Sequence, residues 1–167
     1  FHVGFVYQGP AQCGPSNLLY PGPTGYRSTM VGFPYDDVDG WRAVYPPEVL
    51  ASQFEKLAAK WQDGIDACGR ARKKAMTADQ RRNLTDDLRI AEAARLHFAS
   101  VAAQVRFTVA RDSLLAGAST PAERSALAET IRDAAMGEKN NARKLFTLIR
   151  ADSRIGYEAS NHYYYLP

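Results

Sequence analysis

From residue 47 onward, apolar residues recur in alternating steps of three and four, the spacing of one helix face. Leu50, Phe54, Leu57, Trp61, Ile65 and Cys68 form the first such seam. Pro47 precedes it, at a position where a missing backbone N–H costs nothing, and the pattern predicts a helix over 47–74. A second seam runs through Leu84, Leu88, Ala91, Phe98, Val101, Val105 and Val109. Thr77-Ala78-Asp79-Gln80 ahead of it fits a capping box, and Gly117 is a suitable stop, giving a helix over 78–116. The third seam is Leu127, Ile131, Ala134, Leu145, Leu148 and Ile149. Thr120 as cap, Pro121 in the first turn and Glu123 three residues on start a helix over 121–152.

Short connections fold successive helices back on one another, so the expected fold is all-α: three long antiparallel helices in an up-down-up bundle. At ~1.5 Å per residue the helices are about 40, 60 and 45 Å long, and the middle one outruns its neighbours. It must kink, with Phe107-Thr108-Val109 the place to look, or overhang. An overhang would bring Val109, Leu114 and Leu115 to whatever the first 46 residues build.

Residues 1–46 have another texture. Prolines 10, 15, 21, 23, 34 and 46 forbid a long helix there. Yet Phe5, Tyr7, Leu18, Tyr20, Phe33 and Trp41 are too apolar for a solvated linker. An irregular layer packed on the bundle is expected. Residues 153–167 form a tail carrying Tyr157, Tyr163, Tyr164 and Tyr165, whose phenols favour docking with one wet side. The 167 residues suit a single domain. The opening "FHVGFVYQGP" reads as the interior of a folded protein, so the domain is expected to be a piece of a larger one.

Charge and composition narrow the function classes. Net charge is +3, milder than nucleic-acid binders concentrate, so no nucleic-acid partner is expected. The densest basic run, Arg70, Arg72, Lys73 and Lys74, falls where the first helix ends and complements its dipole. No apolar run is long enough to span a bilayer. Cys13 and Cys68 have no metal-ligand spacing and read as two buried thiols or one disulfide. No phosphate loop, zinc helix motif or nucleophile elbow is present, so no cofactor or metal is expected.

Three places carry candidate chemistry. "YDDVDGW" sets Asp36, Asp37 and Asp39 beside Trp41: a turn capped by carboxylates, a cation site short of ligands, or a carbohydrate subsite with acids for hydroxyls and a ring for the sugar face. Glu138 falls on the third seam where an apolar residue belongs, and Arg95 lies on the second. A Glu138–Arg95 contact inside the bundle is expected, because a buried acid needs a partner. His97 reads as a partly buried packing residue. In the tail, Glu158, Asn161, His162 and Tyr163 read either as a sugar-binding lining or as the finish of the core. Glu158 and His162 with an acid of 36–39 would be the catalytic alternative.

"GPTGYRSTMVGFPYDDVDGWRAVYPPEV" and "DSRIGYEASNHYYYLP" resemble the C-terminal region of large bacterial proteins related to glycoside hydrolases. The resemblance covers most of 1–60 and 145–167. It implies that a (β/α) barrel of hexosaminidase or α-glucuronidase type precedes this chain in a secreted or periplasmic protein. The acid/base carboxylates would lie on that barrel, leaving this fragment inactive alone. The chain has no strand–helix alternation of its own to build one. The resemblance implies a helical accessory domain lining the rim of a sugar site through Asp36, Asp37, Trp41, Glu158, Asn161, His162 and Tyr163. A helical protein-interaction module is the other reading.

Overall fold

The computed structural model describes residues 18–27, 36–74, 77–117 and 120–155. A short helix, α1 (Val38–Trp41), precedes three long ones: α2 (Pro47–Lys74), α3 (Ala78–Leu115) and α4 (Pro121–Ala151). Among the described residues there is no strand. The expected helix boundaries hold to within one residue.

The starts and stops follow the predicted chemistry. Thr77 Oγ1 accepts from Gln80 N at 3.1 Å, and Gln80 Oε1 accepts from Thr77 N at 3.0 Å, a complete capping box. Thr120 Oγ1 accepts from Glu123 N at 3.1 Å, with Pro121 following the cap. α3 stops where Gly117 turns to φ 93°, a conformation that excludes a Cβ at little cost only for glycine.

Cross-helix pairs fix the direction of packing. Arg72 meets Thr85, Trp61 meets Ala91 and Glu55 meets Arg106, so α2 and α3 run antiparallel. Phe107 meets Ala134, Ser100 meets Glu138 and Leu96 meets Leu145, so α4 runs back along α3. α2 and α4 lie on opposite flanks of α3 and scarcely touch each other. Between them runs a groove of about 520 Å³, floored by Ala102 and Arg106 and walled by Glu55, Ala58, Thr130 and Asp133. The trio is therefore a layer with α3 in the middle.

That placement gives α3 two buried faces. One is the predicted seam, where Val101, Ala102 and Val105 join Leu50, Ala51, Phe54, Val38 and Trp41. Phe98 packs there too, 5.3 Å from the Trp61 ring at 78° and 6.5 Å from Phe54. The second face, turned to α4, reads Ala93, Leu96, Ser100, Gln104, Phe107 and Arg111. Leu96 and Ala93 pack with Leu145, Ile149 and Ile155, and Phe107 packs with Ala134, Ile131 and Leu19. Truncating a buried leucine such as Leu96 or Leu145 costs about 2–5 kcal/mol by loss of transfer energy and by the cavity left.

The helix α3 is unbroken through Phe107-Thr108-Val109, and its C-terminal turns extend to the level of residues 18–27 and 36–41. Val109 packs against the Val38–Trp41 cluster as the overhang requires, while Leu115 is exposed. Ala43, in the turn from α1 to α2, has φ 56°, a left-handed backbone that strains a residue bearing a Cβ.

Candidate functional site

The end of the bundle where α3 finishes is organised around one arginine. Arg111 is 3% exposed, on the last turns of α3. Its Nη1 donates to the carbonyls of Tyr20 and Gly22, each at 3.2 Å, and its Nε donates to Asp112 Oδ1 at 2.8 Å. Asp36 Oδ2 lies 3.8 Å from Nη1. A buried guanidinium needs several acceptors, and these supply them to Nε and Nη1. Asp36 in turn accepts from Thr24 N at 2.6 Å and Thr24 Oγ1 at 2.8 Å. Segment 18–27 is thereby tied to the helix layer by polar contacts. One of the three sequence readings of Asp36–Asp39 has them cap a local turn. Instead, the first two acids reach across sequence: Asp37 makes no side-chain cap on α1 and pairs with Arg27 at 3.0 Å.

Beside this knot opens a cleft of about 380 Å³. Its walls include Tyr26, Arg27, Asp37, Asp39, Thr108 and Asp112. Tyr26 is 73% exposed, so its ring face is free for contact. Thr108 is buried, and its Oγ1 finds no hydrogen-bond partner among the described residues. An unsatisfied buried hydroxyl costs about 1–3 kcal/mol until something bonds to it. Arg42 pairs with Asp39 at 2.5 Å on the outer rim.

The expected site residues fall in three groups. Asp36 and Asp37 are brought together at the cleft, with Asp39 beside them. Trp41 is not on the cleft wall. It is 3% exposed and packs among Val38, Leu50 and Val105, because an apolar ring at the C-terminal end of a four-residue helix faces the layer beneath it. Its indole has no surface on which a sugar could stack. Glu158, Asn161, His162 and Tyr163 lie outside the described residues, as does Cys13. Cys68 is a free thiol. Arg111, Thr24, Tyr26 and Thr108 went unnoticed in sequence. For Arg111 a signal existed, because it continues the 3–4 spacing of the second face of α3, whereas the sequence marks Thr108 only as a place where the helix could kink.

The other buried polar group lies between α3 and α4. Glu138 accepts from Ser100 Oγ at 2.6 Å and from Asn141 Nδ2 at 3.1 Å, while Gln104 Nε2 donates to Ser100 Oγ at 2.7 Å. Burial pushes the Glu138 carboxyl above its ordinary value, opposed by these hydrogen bonds. The expected Glu138–Arg95 contact does not form. Arg95 pairs one turn back with Glu92, at 2.7 and 2.9 Å, which raises its pKa. The i,i+3 partner is within reach at a partly buried position that desolvates Arg95 less than the bundle interior would, whereas the uncharged Ser100 and Asn141 satisfy Glu138 inside. His97, near the same face, is held down to about 4 by burial. Across the groove wall Arg106 and Glu55 pair, lowering the Glu55 pKa by a hydrogen bond.

Among the described residues, no three His, Cys, Asp or Glu side chains converge as a metal site requires. No helix among them is long and apolar enough to cross a membrane. Compared with protein-family models, curated proteins and solved structures, the chain matches none.

Proposed function

We propose that this chain is a helical accessory domain of a secreted, glycoside-hydrolase-like protein, and that the cleft beside Asp36 and Asp37 contributes to the rim of its sugar-binding site. The lining of that cleft is the observation that carries the reading. The exposed carboxylates of Asp39 and Asp112 and the Arg27 guanidinium offer hydrogen bonds to hydroxyl groups, and the buried Asp37 holds Arg27 in place. Tyr26, rather than Trp41, supplies the exposed ring for an apolar sugar face. Pre-formed clefts with a few fixed polar groups are the usual place for small ligands. Any hydrolysis would belong to carboxylates on a preceding barrel domain.

The test is a titration of the chain with a panel of neutral and uronic-acid oligosaccharides, followed by backbone amide NMR. Saturable shifts confined to Tyr26, Arg27, Thr108 and Ser113 are expected, and Tyr26→Ala should weaken binding about tenfold, the loss of one ring contact. No saturable shift at millimolar concentration from any member of the panel refutes the reading.

A protein-interaction module is the second reading. It is favoured by Val44, Val49 and Leu115, which are 78%, 44% and 61% exposed at the same end of the molecule. A defined oligomer in light scattering, dispersed by Val44→Ser, would support it over the sugar site.

A further inference from the structure

The two ends of the helix layer carry opposite charge. One end gathers the last turn of α2, the first turns of α3 and the last turns of α4. Over 70–74, 77–89 and 147–154 it holds nine Lys and Arg against four Asp. The other end, 18–27, 36–55, 104–115 and 120–133, holds six Arg against nine Asp and Glu. The mild net charge of the chain hides this separation, which extends over about 40 Å, the length of α2.

The helix dipole does not explain the basic end. Arg72, Lys73 and Lys74 do complement the C-terminus of α2. Arg81 and Arg82, however, stand in the first turns of α3, where the dipole disfavours cations. Nor are the charges consumed internally. Arg82, Arg89 and Arg154 pair with Asp79, Asp86 and Asp152. Among the described residues, Arg70, Lys73, Lys74 and Arg150 have no ion pair, and all four are exposed. Gathering like charges in this way costs self-repulsion, which a polyanion relieves.

From this distribution we infer that the basic end docks the molecule, end-on, to a membrane surface rich in anionic phospholipid headgroups. Arg72, Lys73 and Lys74 close α2, Arg81 and Arg82 open α3 and Arg150 closes α4, so cations stand at three neighbouring helix ends, a shape that meets a flat sheet of phosphates. A nucleic-acid duplex would instead need a stripe or groove that follows its backbone. The acidic end then points away from the surface by about four Debye lengths at ~0.1 M salt, so it does not oppose docking and fixes the orientation. The cleft at that end faces outward from the membrane. The attachment is electrostatic and peripheral.

The experiment is co-sedimentation of the full chain with vesicles of phosphatidylcholine containing about 30% phosphatidylserine, at about 0.1 M salt. Binding is expected there, with none to pure phosphatidylcholine and release at about 0.5 M salt. Each cation contributes about fivefold to partitioning. The triple variant Arg70→Glu, Lys73→Glu, Lys74→Glu should therefore bind at least about 100-fold more weakly. Arg150→Glu, in the last turn of α4, should lower binding at least about fivefold, which guards against a fold defect confined to α2. Glu129→Lys, on the opposite end, should leave binding unchanged. Absence of binding to the anionic vesicles overturns the inference, as does equal binding to neutral ones or indifference to both sets of reversals. Tighter binding to duplex DNA than to the vesicles, or salt-sensitive self-association without vesicle binding, overturns it too.

Discussion

Acidifying the protein from pH 7 to pH 4 should cost it about 3 kcal/mol through one side chain, His97. Burial holds this imidazole down to about 4, against an ordinary value of 6.5. The folded-state pKa is depressed, and the neutral form is the one that fits. Stability from His97 is therefore full above 6.5 and is lost as pH falls toward 4, where the unfolded chain takes up a proton that the folded one refuses. A shift of about 2.5 units at 1.36 kcal/mol per unit gives about 3 kcal/mol, a large share of the 5–15 kcal/mol typical of a domain. The other perturbed acids do not imitate this loss: Glu55, held down by Arg106, gives up its contribution only below about its ordinary 4.5 and is common to both proteins compared below. Glu138 is shifted upward, so its contribution is complete at low pH and declines as pH rises. Asp152 is held down to about 2 by Arg154, so its contribution fades only below the ordinary carboxylate range. The assay is urea unfolding followed by circular dichroism, from pH 7.5 to 4, for the natural sequence and His97→Gln. The difference between the two should be flat above about pH 7 and should shrink by about 3 kcal/mol by about pH 4. His2 and His162 are common to both proteins and cancel. Parallel profiles over that range, or an NMR titration placing His97 near 6.5, would refute the reasoning.

Glu138→Ala should destabilise by about 2–3 kcal/mol, because Ser100 and Asn141 lose their acceptor between α3 and α4. Glu138→Gln, measured by the same unfolding, should abolish the component of stability that falls as pH rises. Arg111→Met should cost about 3 kcal/mol and should release segment 18–27, seen as faster amide exchange at Tyr20 and Thr24 while α2 stays protected. Ala43→Gly should raise stability by about 0.5–1 kcal/mol in thermal unfolding, because glycine adopts the positive φ without strain.

Much of the helix layer was legible in the sequence because its ends are written in local chemistry. Thr77 with Gln80, Thr120 with Pro121, and Gly117 each solve the orphan backbone groups of one helix terminus, and none needs a tertiary partner. The single apolar seams of α2 and α4 were legible for a similar reason, since each buries one side. The middle helix concealed half of its burial. Its second face mixes Leu96 and Phe107 with Ser100, Gln104 and Arg111, which look like surface residues until α4 and segment 18–27 cover them. The candidate site was less legible. Asp36 and Asp37 were found from their clustering with a tryptophan, but the Asp36 partners Thr24 and Arg111 lie 12 and 75 residues away, the Asp37 partner Arg27 lies 10 away, and none leaves a periodic trace. Trp41 misled for the opposite reason: an aromatic beside acids reads the same whether it faces a ligand or the core.

Because α2 and α4 each pack on α3 and scarcely on each other, their energetics should be separable. Leu50→Ala and Leu145→Ala, combined, should destabilise by the sum of their single effects to within about 0.5 kcal/mol. Either one paired with its neighbour on α3, Val101 or Leu96, should show a coupling term. The molecule thus behaves energetically as two helical hairpins sharing a strut, and substitutions accumulating on one flank leave the tolerance of the other intact.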